Sequence, residues 1–422
     1  MTFSPATSPL FQPLRLNQIT VPNRIWLPAM VTWLSNEAGE VTPAVRDRYL
    51  RYARGGTGMI VLEAMGVRDV ASGPLMRIGH DRYVPALRDL VAEMHDTADV
   101  RVVPQLIDFL KIARRNPSAA LARLEARYPG CSGWSEAELE ARLHPREWRD
   151  YAYGYRQQIE DLSLAEIAAL PAVFAAAAAR AHRAGFDGVE LHFAHAYTLA
   201  SFLSATNQRT DAYGGSLENR VRLPLEVIAA VRAEVGPDFT VGLRYLGRDD
   251  VAGGTELADA CWFALRFCEA GVDFISVSRG GRFEDARRPK VGQAAYPYTG
   301  HSGTMCMPTR DYPDGYNLPL PAAIRASVRA AGHTVPVVGG GKINTPALAE
   351  HALTSGQVDV VAMARGLLAD PDWARKVKTG EGSVHACRYT NVCEALDRAH
   401  LPVRCQLWMK LPNGGLNAPD DW

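Results

Sequence analysis

Residues 334–371, "TVPVVGGGKINTPALAEHALTSGQVDVVAMARGLLADP", decide the fold. Two short apolar runs rich in β-branched residues, 334–340 and 358–364, enclose the helical pattern "TPALAEHAL". Strand, helix and strand in succession make the repeating unit of a parallel α/β sheet. Working outward, six more runs of the same kind come before it: "RIWLPA" (24–29), "TGMIVLE" (57–63), "RVVPQLI" (101–107), "DGVELHF" (187–193), "FTVGLRY" (239–245) and "VDFISVS" (272–278). Helical stretches separate them. The longest, 164–184, opens with a capping box at Ser163 and Glu166, where each side chain satisfies the other residue's backbone amide, and stops near Gly185. Eight strands alternating with helices predict an α/β fold, a (β/α)8 TIM barrel that makes a single domain of residues 1–422.

The two longest connections follow the third strand (108–162) and the sixth strand (279–318), so both insertions fall on the C-terminal face, where such barrels build their sites. The first carries a second capping box, Ser135 to Glu138, with Trp134, Trp148, Tyr151, Tyr153 and Tyr155, and reads as a helical lid. The second holds Arg279, Arg282, Arg287, Arg288 and Lys290 beside Tyr296 and Tyr298. It reads either as a solvated basic loop or as a lid over an anionic substrate such as an acyl-CoA thioester. Residues 385–422 form a C-terminal segment containing Cys387, Cys393 and Cys405.

Lys+Arg and Asp+Glu both number 46, and no extended basic run is present, which argues against nucleic acid or an anionic membrane surface as partner. The N-terminus lacks the pattern of a signal peptide, and nowhere do 18 uninterrupted apolar residues occur. Seven unevenly spaced cysteines do not make a disulfide framework and suit a reducing compartment. The expectation is a cytoplasmic protein that acts on a small molecule, alone or as a homo-oligomer.

Three candidate groups carry chemistry. Gly339, Gly340 and Gly341 end the seventh strand, with Lys342 after them and Arg365 after the eighth. Loops in these two places often hold a phosphate, though a tight turn with two solvated cations has the same sequence. In "VELHFAHAYTLASFLS" (189–204), His192, His195 and Tyr197 crowd the end of the fourth strand. Neutral imidazoles can donate hydrogen bonds to an oxygen gaining negative charge, and a phenol can protonate carbon. That set suits reduction of a carbon–carbon double bond conjugated to a carbonyl. Arg244, ending the fifth strand, and Gln105, ending the third, could meet the charge and the polar edge of a flat heterocycle, or could be paired structurally.

The stretch "ELHFAHAYTLASFLSATNQRTDAYGGSLENRVRLPLEVI" (190–228) resembles the active-site segment of the Old Yellow Enzyme family of flavoproteins. "LFQPLRLNQITVPNRIWLPAM" resembles its first strand, and "PVVGGGKINTP" and "MARGLLADPDW" resemble its phosphate loops. The resemblance implies an FMN-dependent oxidoreductase that takes a hydride from NADH or NADPH and passes it to an electron-poor alkene. It implies that His192 and His195 bind the substrate carbonyl and that Tyr197 donates the proton. Gln105 would meet the pyrimidine edge of the flavin, Arg244 its negative charge, and Ala29, Met30 and Ala64 would pack against it. Gly340, Gly341, Lys342, Ala364 and Arg365 would form the phosphate site.

Three departures stand out. Val31 occupies the place where the family has Thr or Cys near the flavin O4, "IDFLKIARR" follows Gln105 in place of His-x-Gly-Arg, and Ala364 stands where a Gly is usual. "CRYTNVCEALDRAHLPVRC" (387–405) resembles the four-cysteine iron–sulfur loop of the branch containing 2,4-dienoyl-CoA reductase and trimethylamine dehydrogenase, with Thr390 at the second cysteine position. Three thiols in place of four imply a relic without a cluster or other metal. The alternatives are a flavin-dependent amine or C–N dehydrogenase working in the oxidative direction, and a flavin-free phosphate-binding lyase.

Overall fold

The computed structural model describes residues 4–70, 73–109, 121, 124–145, 147–148, 151, 158–287, 296–411 and 415–420. Its first two strands, β1 (Leu14–Leu16) and β2 (Ile19–Val21), form an antiparallel hairpin. Eight more follow: β3 (Ile25–Leu27), β4 (Met59–Gly66), β5 (Arg101–Ile107), β6 (Gly188–Phe193), β7 (Thr240–Leu246), β8 (Phe274–Ser278), β9 (Val337–Gly340) and β10 (Val360–Ala362). All eight pair in parallel and close in the order β10-β3-β4-β5-β6-β7-β8-β9. Each lies on one of the runs identified in the sequence, within a few residues at its ends.

Alternation along the strands divides the core in two. Trp26, Met59, Val61, Val103, Phe274, Val338 and Val360 point inward and fill the barrel, with Trp26 edge-on to Phe274 at 5.3 Å. Leu16 and Val21 of the hairpin join that cluster and plug the N-terminal end, so the open end of the barrel is the C-terminal one. The outward set, including Ile60, Leu62, Leu106, Leu191 and Leu243, packs on the helices. The hairpin is an addition to the sequence reading. Its two-residue loop, Asn17–Gln18, places Asn17 at φ 48°, a conformation asparagine tolerates better than most residues.

Both predicted capping boxes form, at Ser135/Glu138 and at Ser163/Glu166. Helix Leu164–Arg183 is long and apolar enough to cross a membrane by length and composition, but Ile167, Leu170, Phe174, Ala177, Ala178 and Ala181 recur every three or four residues and are buried against the barrel layer. The 108–162 insertion gathers Cys131, Leu139, Leu143 and Tyr151, with Trp134 and Trp148, into a small core of its own. Tyr153 and Tyr155 lie outside the described residues, as do Arg288 and Lys290 of the 279–318 insertion.

Candidate active site

A cavity of about 300 Å³ opens at the C-terminal end of the barrel. Its floor is set by the strand ends. A register shift in β4 between Leu62 and Ala64 turns Ala64 into the cavity and leaves Glu63 buried behind it. Gln105 donates to Glu190 at 2.6 Å, which fixes the carboxamide, and the Arg244 charge lies near the same buried carboxyl. Arg244 donates to Ala29 O at 3.4 Å and to Ser278 Oγ at 3.3 Å. Ala29, Met30 and Val31 run along the neighbouring wall. Thr32 is turned away, its hydroxyl on Glu63 at 2.6 Å, so it cannot replace the hydrogen bond that Val31 lacks. Burial raises Glu63 to about 7 against the opposing hydrogen bonds from Thr32.

At the far end lie Gly340, Gly341, Lys342, Ala364 and Arg365. A side chain on Gly340 would meet Ala362 O at 2.3 Å, and one on Gly341 (φ +126°) would meet Asn317 at 2.5 Å, so close packing of the neighbouring backbone and Asn317 demands glycine here. The ammonium of Lys342 is fully engaged on the carbonyls of Thr309, Arg310 and Tyr312. What that position offers the cavity is backbone rather than charge. Arg365 donates to Pro308 O and Asn391 Oδ1, each at 2.7 Å, and stacks on Tyr389.

On the opposite side stand His192, His195 and Tyr197. His195 adopts φ 57°, unusual for a residue with a side chain, and its carbonyl accepts from the fully buried Arg282 at 2.9 Å. The rings are joined in series: His192 Nε2 lies 3.1 Å from His195 Nδ1, and His195 Nε2 lies 3.0 Å from Ser278 Oγ. Burial, with the Arg244 charge, lowers His192 to about 3, and burial also drives His195 well down. Both imidazoles are therefore neutral at ordinary pH, each with one N–H to donate and one ring nitrogen to accept. Tyr197 follows at the head of helix Thr198–Leu203, which Asp108 secures by accepting from the Thr198 hydroxyl at 2.9 Å. Phe109, where the family pattern differs, packs edge-on to Tyr197 at 5.1 Å.

The roof comes from the 279–318 insertion and the C-terminal segment. Two of the basic residues seen in the sequence are paired within the protein, Arg279 with Asp250 at 2.6 Å and Arg282 with Glu284 at 2.5 Å, while Arg287 is exposed. The groups that face the cavity here include Arg279, Phe283, Tyr296 and Tyr298 of the insertion, with Trp33, Glu394 and Asp397. Asp397 accepts from Trp33 Nε1 at 2.6 Å and from the Tyr296 hydroxyl, and burial raises it to about 6. The sequence reading missed Glu394, Asp397, Trp33 and Ser278. The two acids were findable, being three apart on helix Val392–Arg398 within the cysteine loop. Of the 108–162 insertion, Phe109 alone among the described residues lines the cavity.

Cys387, Cys393 and Cys405 surround a second hollow of about 30 Å³, beside Arg365 and Thr390. Burial pushes Cys393 up to about 12 and Cys405 up to about 11, so the thiols stay protonated. Among the described residues no three His, Cys, Asp or Glu side chains are arranged to hold a metal ion.

Among the described residues, four buried atoms on the cavity lining have no hydrogen-bond partner: Glu394 Oε1 at the roof, and Arg244 Nε, Asn317 Oδ1 and His192 Nδ1 below it. Buried polar atoms normally have one, and a flat polar ligand between the glycine turn and the histidines would supply it to the lower three.

The chain resembles known proteins in sequence and in fold. The chain is 31% identical to an NADH oxidase of Thermoanaerobacter brockii over 91% of its length and 53% of that protein. It is 30% identical to an NADPH dehydrogenase of Listeria welshimeri over 87% of its length and 94% of that protein. The chain thus spans about half the length of the first relative. Among solved structures, 2-naphthoyl-CoA reductase superposes with a TM-score of 0.74 at 22% identity, covering 96% of this chain and 57% of the other. Histamine dehydrogenase from Rhizobium superposes with 0.70 at 22% identity, covering 94% and 52%. At that identity both speak for the fold alone. The family model described as NADH:flavin oxidoreductase / NADH oxidase matches residues 9–383, and the chain belongs to that family.

Proposed function

We propose that the protein binds FMN in this cavity, takes reducing equivalents from NADH or NADPH, and reduces a C=C bond conjugated to a carbonyl in a small-molecule substrate. The observation that carries the proposal is the pair of neutral histidines beside Tyr197, across one cavity from a glycine turn and Arg365. Gln105 and Arg244 would hold the ring, and the Gly340–Lys342 backbone with Arg365 would hold the phosphate. When bound there, FMN supplies a hydride. The carbonyl oxygen of the substrate lies at the histidines, whose neutral N–H groups stabilise charge on oxygen without protonating it. Tyr197 gives its proton to the carbon that does not receive the hydride, and solvent restores the phenol. The 108–162 insertion would complete the enclosure as a lid. All seven cysteines are free thiols, which suits a reducing compartment such as the cytoplasm.

The direct test is anaerobic. The purified protein should be yellow and should release FMN on acid treatment. NADH or NADPH should bleach it, and 2-cyclohexenone should restore the colour. A colourless protein would favour the lyase reading, and bleaching by amines but not by NAD(P)H would favour oxidation.

A second reading has its own support. Glu394 Oε1 is buried at the cavity without a hydrogen bond, its nearest cation Arg398 at 3.9 Å, Asp397 lies one helical turn on, and the rings of Trp33 and Tyr296 stand beside them. Carboxylates among aromatic rings suit a cation, which points to an amine substrate rather than an anionic thioester. Replacing Glu394 with Gln should then weaken a cationic substrate by about tenfold, the loss of one charged hydrogen bond, and leave a neutral enone unaffected. Equal KM changes for both substrates would remove this reading.

A further inference from the structure

Ser278 ends β8 and lines the cavity between Arg244 and His195. The Arg244 guanidinium can only donate, so at 3.3 Å it occupies one lone pair of the Ser278 oxygen. His195 Nε2 lies 3.0 Å from the same oxygen, and His192 Nε2 lies 3.1 Å from His195 Nδ1. The two joined ring nitrogens hold one proton between them, and which ring owns it is set by what the other nitrogen of His195 does. Cys306 also lies within reach of the Ser278 hydroxyl, and burial pushes its thiol up to about 11, so it remains an S–H whose sulfur is only a weak acceptor. With the guanidinium donating to it, the serine oxygen has its own hydrogen to give, and the imidazole nitrogen of His195 at 3.0 Å is a stronger acceptor than the Cys306 sulfur.

We infer that Ser278 is a positioning residue: it donates to His195 Nε2, so His195 carries its proton on Nδ1 and presents a donor where the two histidines meet. A carbonyl oxygen entering there competes with His192 Nε2 for that proton and is met by an N–H. The hydrogen-bond direction therefore runs from Arg244 through Ser278 and His195 to His192, whose Nδ1 is the buried atom left without a partner. Glu190, near Arg244, and Arg282, near His195, are the other charged groups facing this chain. No proton is transferred. The serine selects a tautomer, and the kinetic consequence alone depends on the enone reading.

The test uses flavin-loaded protein labelled with ¹⁵N-histidine. Ring nitrogen shifts should assign His195 as the neutral Nδ1–H tautomer from pH 6 to 8. Ser278→Ala should move that proton to Nε2 and raise KM for 2-cyclohexenone by about tenfold, one hydrogen bond's worth. Ser278→Thr keeps the hydroxyl and should restore both. An Nε2–H tautomer in the parent protein, or an unchanged tautomer in Ser278→Ala, overturns the assignment, and so does a changed tautomer with KM unaltered. If the parent protein reduces no enone, the functional proposal fails, but the ring-nitrogen shifts still decide the role of Ser278.

Discussion

Tyr197→Phe is expected to slow reduction of an enone by about 10²–10⁴-fold, the range for loss of a placed general acid, while NAD(P)H oxidation stays within about twofold. The substitution removes one oxygen and keeps the ring, so the edge contacts of Tyr197 with Phe109 and His192 survive. On the proposed function carbonyl binding would rest on the histidines and should change little. The loss therefore belongs in the rate of flavin reoxidation by the enone, with KM nearly constant. Stopped-flow measurement of the two half-reactions separates them, following bleaching by NADPH and then recovery of colour with 2-cyclohexenone. Equal losses in both would take the proton-donor role from Tyr197. Deuterated solvent gives an independent check, because the isotope effect on reoxidation should shrink in the Phe variant, where protonation must come from water.

The barrel was legible because its code is local. Each strand is a short β-branched run bounded by glycine or polar residues, and eight of them at βα spacing leave few alternatives. The candidate site residues on strand ends could be placed for the same reason, since inward-pointing side chains at the C-terminal end of a barrel strand border the opening. What escaped the sequence depends on side-chain direction and on distant pairing. Nothing in "GGGKI" tells that the Lys342 ammonium turns back onto the 309–312 carbonyls, because those acceptors belong to a loop thirty residues earlier. Likewise the basic run around Arg279 and Arg282 looked available to an anion, whereas Asp250 and Glu284 already neutralise both. The series arrangement of His192 and His195 follows from the left-handed turn at His195, which no propensity for histidine would predict.

The second large effect concerns how the roof is held. Arg51→Ala is expected to destabilise the protein by about 3–5 kcal/mol at pH 7, the cost of leaving a buried carboxylate without its partner. Arg51 binds Asp372 through two bonds, 3.0 and 2.5 Å, with both side chains only 4% and 3% exposed, and it also donates to Pro419 O. The backbone amide of Asp372 donates to Asp370, whose other oxygen accepts from the Lys376 ammonium and from the amide of His385. That line of bonds leads from helix Pro43–Arg54 to the start of the segment carrying Glu394 and Asp397 over the cavity. Breaking it should loosen the roof before the barrel, so flavin release should precede the loss of helical signal on heating. Burial alone would raise Asp372, but the hydrogen bond and charge of Arg51, helped by Arg375, hold it below its ordinary value. The stability it contributes is present above the unfolded carboxyl pKa near ~3.9 and disappears as the pH falls through the lower folded value. The gap between parent and Arg51→Ala should thus be full at pH 7 and narrow below about pH 4. Replacing both partners, Arg51→Met with Asp372→Leu, should recover most of the loss, because an apolar pair leaves no stranded charge. Urea midpoints for the three proteins at pH 7 measure this; a double variant no better than Arg51→Ala would mean that the Pro419 and Asp370 contacts, rather than the ion pair, hold the roof in place.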